Sequence, residues 1–244
     1  MDPLRRRRWR LLVGCTLIGL LILFVGVLFL WFSLPSVSDL SSRVRTTLAT
    51  HRATEVQLRD VPPLLQQSVI ATEDERFYEN HGVDLLGLAR AVLDDVLSHR
   101  LVEGGSTITE QLAKMVYVGN DDTVGRKLET MALALKIAQR YSKGEVLTLY
   151  LNRVYLGHGA YGVGSAAKTY FHKDVGQLTL SECALIAGLP QAPSAYDPLI
   201  HPHQAEVRQA QVLDRLVDQR VISSTDARNA KESLRRWLSS SSGV

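Results

Sequence analysis

The sequence predicts a mainly α-helical domain behind a single N-terminal membrane-spanning helix. Three observations carry that class. Apolar residues recur at helical spacing in one segment after another, only residues 55–58 read as a strand, and residues 11–32 run without a charge or a proline. The length of 244 residues fits one moderate domain or two small ones, and with 45% hydrophobic and 22% charged residues the chain can bury a core.

The 22 residues of the apolar run would measure about 33 Å as a helix, enough to cross a hydrocarbon core. The run is longer than a signal-peptide core and no small-residue cleavage pattern follows it, so it reads as a retained anchor. Arg5, Arg6, Arg7, Arg8 and Arg10 precede it. They assign residues 1–10 to the cytoplasm, residues 11–32 to the bilayer with Trp9 and Trp31 near its interfaces, and the rest of the chain to the outside. Residues 33–42, with Pro35 and several serines, read as a tether. Helices are expected at 63–76, 84–99, 107–118, 124–141, 144–151, 161–171, 179–188, 203–219 and 224–238, so the main domain spans 43–238. A frayed tail is expected at 239–244.

Charge and cysteine content exclude two classes. The formal net charge is +3, but the first ten residues hold five arginines against Asp2 alone, and without them the chain carries 23 basic and 24 acidic residues, a net of −1. No bulk basicity points to nucleic acid. Cys15 in the anchor and Cys183 in the outer domain fall in different compartments, which rules out a structural disulfide between them.

Three segments carry candidate chemistry. In the first, Leu65, Val69 and Glu73 follow one another at i, i+4 and i+8 after a helix start at Asp60, Pro62 and Pro63. Glu73 thus extends an apolar face, where partial desolvation raises a carboxylate's pKa towards that of a working base; alternatively Glu73, Asp74 and Glu75 are the solvated end of a helix. The second segment runs from Gly104 and Gly105 through Ser106 and Thr107 to Lys114. Glycines before a helix start present backbone N–H groups to a phosphate, and Lys114 adds a charge. The same residues also make sense as a capping box of Thr107 with Glu110 and an i, i+4 pair of Glu110 with Lys114. In the third, Arg126, Lys127 and Glu129 open an amphipathic helix, as a surface salt bridge or as the cationic wall of a cleft.

Two matches are set aside. Residues 157–162 fit G-x-G-x-x-G but lie in a helical domain without a βαβ unit. Residues 165–168 fit S-x-x-K without the K-T-G or S-x-N of penicillin-reactive enzymes. His201 and His203 flank a proline with no further ligand near them in sequence.

In combination the segments resemble the peptidoglycan glycosyltransferase family (glycosyltransferase family 51), found as monofunctional transglycosylases and as the polymerising module of class A penicillin-binding proteins. E-D-x-x-F-x-x-H-x-G is matched by Glu73, Asp74, Phe77, His81 and Gly82, the last two one residue closer together than in the pattern. G-G-S-T-I-T-Q-Q is matched from Gly104 to Gln111 with Glu110 for the first Gln, and R-K-x-x-E by Arg126, Lys127 and Glu129. K-x-x-I-L-x-x-Y-L-N is matched from Lys143 to Asn152 with Val146 for Ile, and L-x-x-x-E-x-A-x-L-A-G-L-P-Q-A-P-S-x-Y-D-P from Leu178 to Pro198 with Ile186 for the second Leu.

The resemblance implies a lysozyme-like, two-lobed helical fold. It also implies an inverting transfer that polymerises lipid II into glycan strands and releases undecaprenyl pyrophosphate. Glu73 would be the general base, and Glu129 a second catalytic carboxylate that orients the acceptor or helps hold a Mg2+ or Mn2+ ion on the pyrophosphate; no organic cofactor is implied. Lys114, Arg126 and Lys127 would meet the leaving group, with Asp74, Phe77, His81, Gly105, Ser106, Thr107, Gln111 and Asn152 completing the substrate site. The implied partners are lipid II, the growing glycan chain, the membrane and other cell-wall synthesis proteins. Lacking a full penicillin-reactive set, the chain is expected to polymerise without cross-linking.

Overall fold

A computed structural model describes residues 3–84, 86–87, 105–119, 121 and 123–241. The expected helix at 84–99 and Gly104 fall largely or wholly outside these residues. The chain begins with α1 (Pro3–Ser33), 31 residues long and so about 46 Å. It is the one helix among the described residues long and apolar enough to cross a membrane: its most apolar 18-residue window has a mean hydropathy of 2.8 and is 0% buried.

Next comes an element that the sequence reading passed over. A 3-10 turn at Val37–Asp39 leads into α2 (Leu40–Thr50), so the supposed tether is already folded at its C-terminal end. Leu40, Val44 and Leu48 form its buried face, at the i, i+4, i+8 spacing of a core helix. The expected strand at 55–58 does not form. That segment is extended and leads into a 3-10 turn at Leu58–Asp60, and its backbone is paired by a side chain instead. Val56 N–H donates to Asn152 Oδ1 at 2.9 Å while Asn152 Nδ2 donates to Val56 O at 2.8 Å. An amide side chain thus takes the place of a neighbouring strand.

The remaining helices are α3 (Pro63–Glu73), α4 (Ile108–Ala113), α5 (Val124–Arg140), α6 (Lys143–Arg153), α7 (Gly162–Phe171), α8 (Leu180–Gly188), α9 (Pro202–Asp218) and α10 (Ser224–Ser241). Local chemistry fixes their ends. Pro63 sits in the first turn of α3, Ser142 with Glu145 and Thr179 with Glu182 form capping boxes for α6 and α8, and His172 closes α7 in the left-handed conformation at φ 55°. The last helix reaches Ser241, so the start of the expected tail is ordered helix.

Two packing groups share the core. Helix α8, buried along most of its length, is the centre of one and lies against α3, α9 and α10. In the other, α4 lies against α5 and α6, and α6 also carries α2. Residues 157–162 form a glycine-rich turn closed by an isolated bridge between Tyr155 and Tyr161, with no strand–helix unit around it. Ser165 is likewise structural, its hydroxyl accepting Thr54 N–H at 3.0 Å.

Candidate active site

The site forms where the C-terminus of α3 meets the N-terminus of α4. Helix α3 keeps Leu65 and Val69 buried and ends at Glu73, three residues earlier than expected. The cause lies in Asp74, which leaves the helical conformation at φ −159° and aims its buried carboxylate at two donors. Ile108 N–H of α4 donates to it at 3.1 Å and Asn80 Nδ2 at 2.9 Å. Asp74 therefore joins the two packing groups and fixes where Glu73 stands.

Glu73 itself is half-buried. Its Oε2 accepts Gln111 Nε2 at 2.8 Å, and Gln111 Oε1 in turn accepts the fully buried Tyr150 hydroxyl at 3.0 Å. The ionised carboxylate can only accept, so it settles which end of the Gln111 amide faces Glu73 and leaves the amide oxygen to the tyrosine O–H. Burial pushes the Glu73 carboxyl above its ordinary value; the Gln111 bond and the Arg208 and Arg215 guanidiniums pull it back. Burial also raises Asp74, against Asn80 and the Ile108 amide.

Gln111 connects this carboxylate to a cavity of about 360 Å³ lined by Ser106, Glu110, Lys114, Asp121, Arg126 and Lys127 among others. A volume of that order suits a small polar ligand group. Lys114 enters it from a π-helical turn at Lys114–Val118 that ends α4. Helix α5 begins beside it, capped by Thr123, whose hydroxyl accepts Arg126 N–H at 3.3 Å. Arg126 pairs with Glu129 at 2.8 Å. Lys127 reaches across, donating to Ser106 Oγ at 2.9 Å and pairing with Glu110.

The structure thus brings Glu73, Ser106, Gln111, Lys114, Arg126, Lys127 and Glu129 around or beside one cavity, with Gly105 exposed next to Ser106 at φ 125°. Other expected site residues do different work. Phe77 is fully buried, with Lys143 Nζ 4.5 Å from its ring centre, and supports the site from below. Thr107 is buried, donating to Gly82 O at 2.6 Å and accepting Glu110 N–H at 3.0 Å. That is half of the expected capping box; the Glu110 side chain pairs with Lys127, and the Thr107 N–H also steadies its charge. Asn152 corrects an expectation, since its amide is spent on Val56 and Thr148 and it does not line this cavity.

His81 is a second correction. Counted from Glu73, Gly82 stands in register with the pattern and Asn80 occupies the histidine's place, while His81 is exposed. Asn80 holds Asp74 through its amide nitrogen, and its oxygen accepts Gly82 N–H at 3.1 Å and Lys143 Nζ at 3.0 Å. Sequence reasoning also missed Arg208 and Arg215. They stand seven apart on α9, Arg208 buried and Arg215 exposed beside the same stripe, and a cation within an apolar stripe was the available signal. Arg215 donates to Thr72 O at 2.6 Å and Arg208 to Gly188 O at 2.9 Å, tying α9 to the helices beneath Glu73.

Residues 41–217 match the family model described as Transglycosylase. Penicillin-binding protein 1A of Neisseria flavescens is 39% identical over 86% of this chain and 28% of its own length. Penicillin-binding protein 1F of Bacillus subtilis is 42% identical over 76% of this chain and 26% of its own. Among solved structures, penicillin-binding protein 1A from Haemophilus influenzae gives a TM-score of 0.44 at 29% identity, over 73% of this chain and 17% of that one. The chain therefore spans little more than a quarter of the length of these curated relatives.

Proposed function

The chain belongs to the transglycosylase family, and from that premise we propose that it polymerises lipid II into glycan strands by inverting glycosyl transfer, anchored in the cytoplasmic membrane by α1 with the arginine-rich end inside. One observation carries the reading: a desolvated carboxylate, Glu73, is joined through Gln111 to a cavity walled by Lys114, Arg126 and Lys127. The acceptor 4-hydroxyl gives its proton to Glu73 as its oxygen bonds to the donor's anomeric carbon, and the bond to pyrophosphate breaks on the opposite face. Burial keeps Glu73 basic enough to take that proton, while the Gln111 bond keeps it ionised before the transfer. The departing pyrophosphate is already a good anion, so fixed cations stabilise it better than a protonating acid would.

A Mg2+ or Mn2+ ion fits this donor set poorly. Glu129 is committed to Arg126 and Glu110 to Lys127, and the described residues contain no group of three metal-ligating side chains. Glu129 then serves to orient Arg126 and the acceptor. A glycan hydrolase would share a catalytic glutamate, but cleaving a finished strand needs no pyrophosphate site. Incubating the purified full chain in detergent with lipid II decides between them: longer glycan supports the proposal, and unchanged lipid II or shortened glycan rejects it.

A further inference from the structure

Glu110 stands where the family pattern has glutamine, and its surroundings differ from those of every other carboxylate at the site. The residue is 2% exposed, whereas its partner Lys127 is 41% exposed in its side chain and is also held by Ser106. When an anion enters this cavity, the lysine can swing towards it. The carboxylate cannot follow. It would be left buried next to a second negative charge, a state far costlier than the neutral acid.

We propose that Glu110 is the resident counter-ion of the cavity, and that a diphosphate group enters by drawing Lys127 away from it while Glu110 takes up one proton from solvent. The inference rests on the polymerase reading for the identity of the anion, but its basis is the ion pair itself. The balance is simple. One Lys127–carboxylate contact is exchanged for one Lys127–phosphate contact, a proton moves from water to a Glu110 oxygen, and no covalent bond in the ligand changes. The groups that face or flank Glu110 support this outcome. From α5, Lys127 holds the carboxylate ionised and Arg126 lines the cavity, as does Asp121 from the segment before the helix. On its own chain segment Lys114 lies one turn on and the Thr107 N–H steadies the charge, but Asp74 from the end of α3 opposes it, and burial, the largest influence, already favours the proton. From α6, the Tyr150 hydroxyl is engaged by Gln111 and Lys143 by Asn80, so neither offers Glu110 a substitute partner.

Binding and protonation are then reciprocal, each favouring the other. Relative to Glu110→Gln, which keeps the shape and cannot titrate, wild-type affinity for the anion should weaken with rising pH, by up to about tenfold per unit while one proton is taken up. The experiment is calorimetry on the full chain in detergent with inorganic pyrophosphate, in two buffers of different ionisation enthalpy. Wild type should take up close to one proton that Glu110→Gln does not, and the variant should bind more tightly at neutral pH. Equal proton uptake or parallel pH profiles for the two proteins would overturn the inference, as would absence of pyrophosphate binding. A second arm uses undecaprenyl pyrophosphate in mixed micelles. The same uptake there assigns the cavity to the lipid-linked leaving group, and uptake with the free anion alone assigns it to soluble diphosphate. Glycan synthesis without differential proton uptake would reject this inference only; uptake without glycan synthesis would reject the polymerase reading only.

Discussion

Replacing Gln111 with methionine removes the donor that Glu73 receives at 2.8 Å and the acceptor that Tyr150 uses at 3.0 Å, with little change in length. Two effects follow, and they separate. A hydrogen bond to a charged group is worth about 1.5–3 kcal/mol, so the ionised Glu73 should lose that much support. Turnover below the rising limb of the pH profile should then fall by roughly ten- to a hundredfold. Because the Gln111 bond lowers the Glu73 pKa against burial, its loss moves the limb to higher pH, and activity should recover as pH is raised. Tyr150, fully buried, loses its partner at a stability cost of about 1–3 kcal/mol. The double variant Gln111→Met/Tyr150→Phe removes both partners, so it should regain most of the stability and none of the neutral-pH activity. The assays are lipid II turnover from acid to alkaline pH and thermal melting of all three proteins. A loss uniform across pH, or a limb that does not move, would refute the role given to Gln111.

Other outcomes follow from the same geometry. Gly82 adopts φ 97° and a Cβ there would lie 2.6 Å from Ala134 O, so Gly82→Ala should destabilise by more than about 1 kcal/mol, measured by denaturant unfolding. Glu73, Asp74 and Glu110 are all raised by burial, so the folded chain holds these protons to higher pH than the unfolded chain. Stability should therefore fall as pH rises from the ordinary carboxylate range through the raised values and then level off. Glu73→Gln should accordingly melt above wild type at neutral pH, and the gap should close in acid; a gap that widens in acid would contradict the desolvation argument. For the topology, protease added to intact spheroplasts should digest most of the chain, and full protection would overturn the orientation.

Much of the fold was legible because helical periodicity survives wherever one face is buried. Helix α2 escaped because its apolar stripe of Leu40, Val44 and Leu48 is interleaved with the serines and threonines of a linker-like composition. The false strand at 55–58 was a sound reading of extended backbone; what sequence cannot show is that its partner is the side chain of Asn152, about a hundred residues away. At the site, Glu73 could be picked out because a carboxylate continuing an apolar face is unusual. The Glu110–Lys127 pair could not, since both residues had plausible partners nearby in sequence and the true contact joins two helices. Arg208 and Arg215 were hidden for the same reason, their roles depending on how α9 lies against α3 and α8.

The most direct test of the central claim compares Glu73→Gln and Glu129→Gln with wild type, measuring lipid II polymerisation against pH and lipid II binding separately. Loss of the general base should lower turnover in Glu73→Gln by on the order of a hundredfold to ten-thousandfold, with binding through Lys114, Arg126 and Lys127 nearly intact. Glu129→Gln should keep the pH limb and weaken acceptor use as Arg126 loses its partner. Near wild-type turnover in Glu73→Gln, or a loss explained entirely by lost binding, would contradict the account and shift the role of base to Glu129.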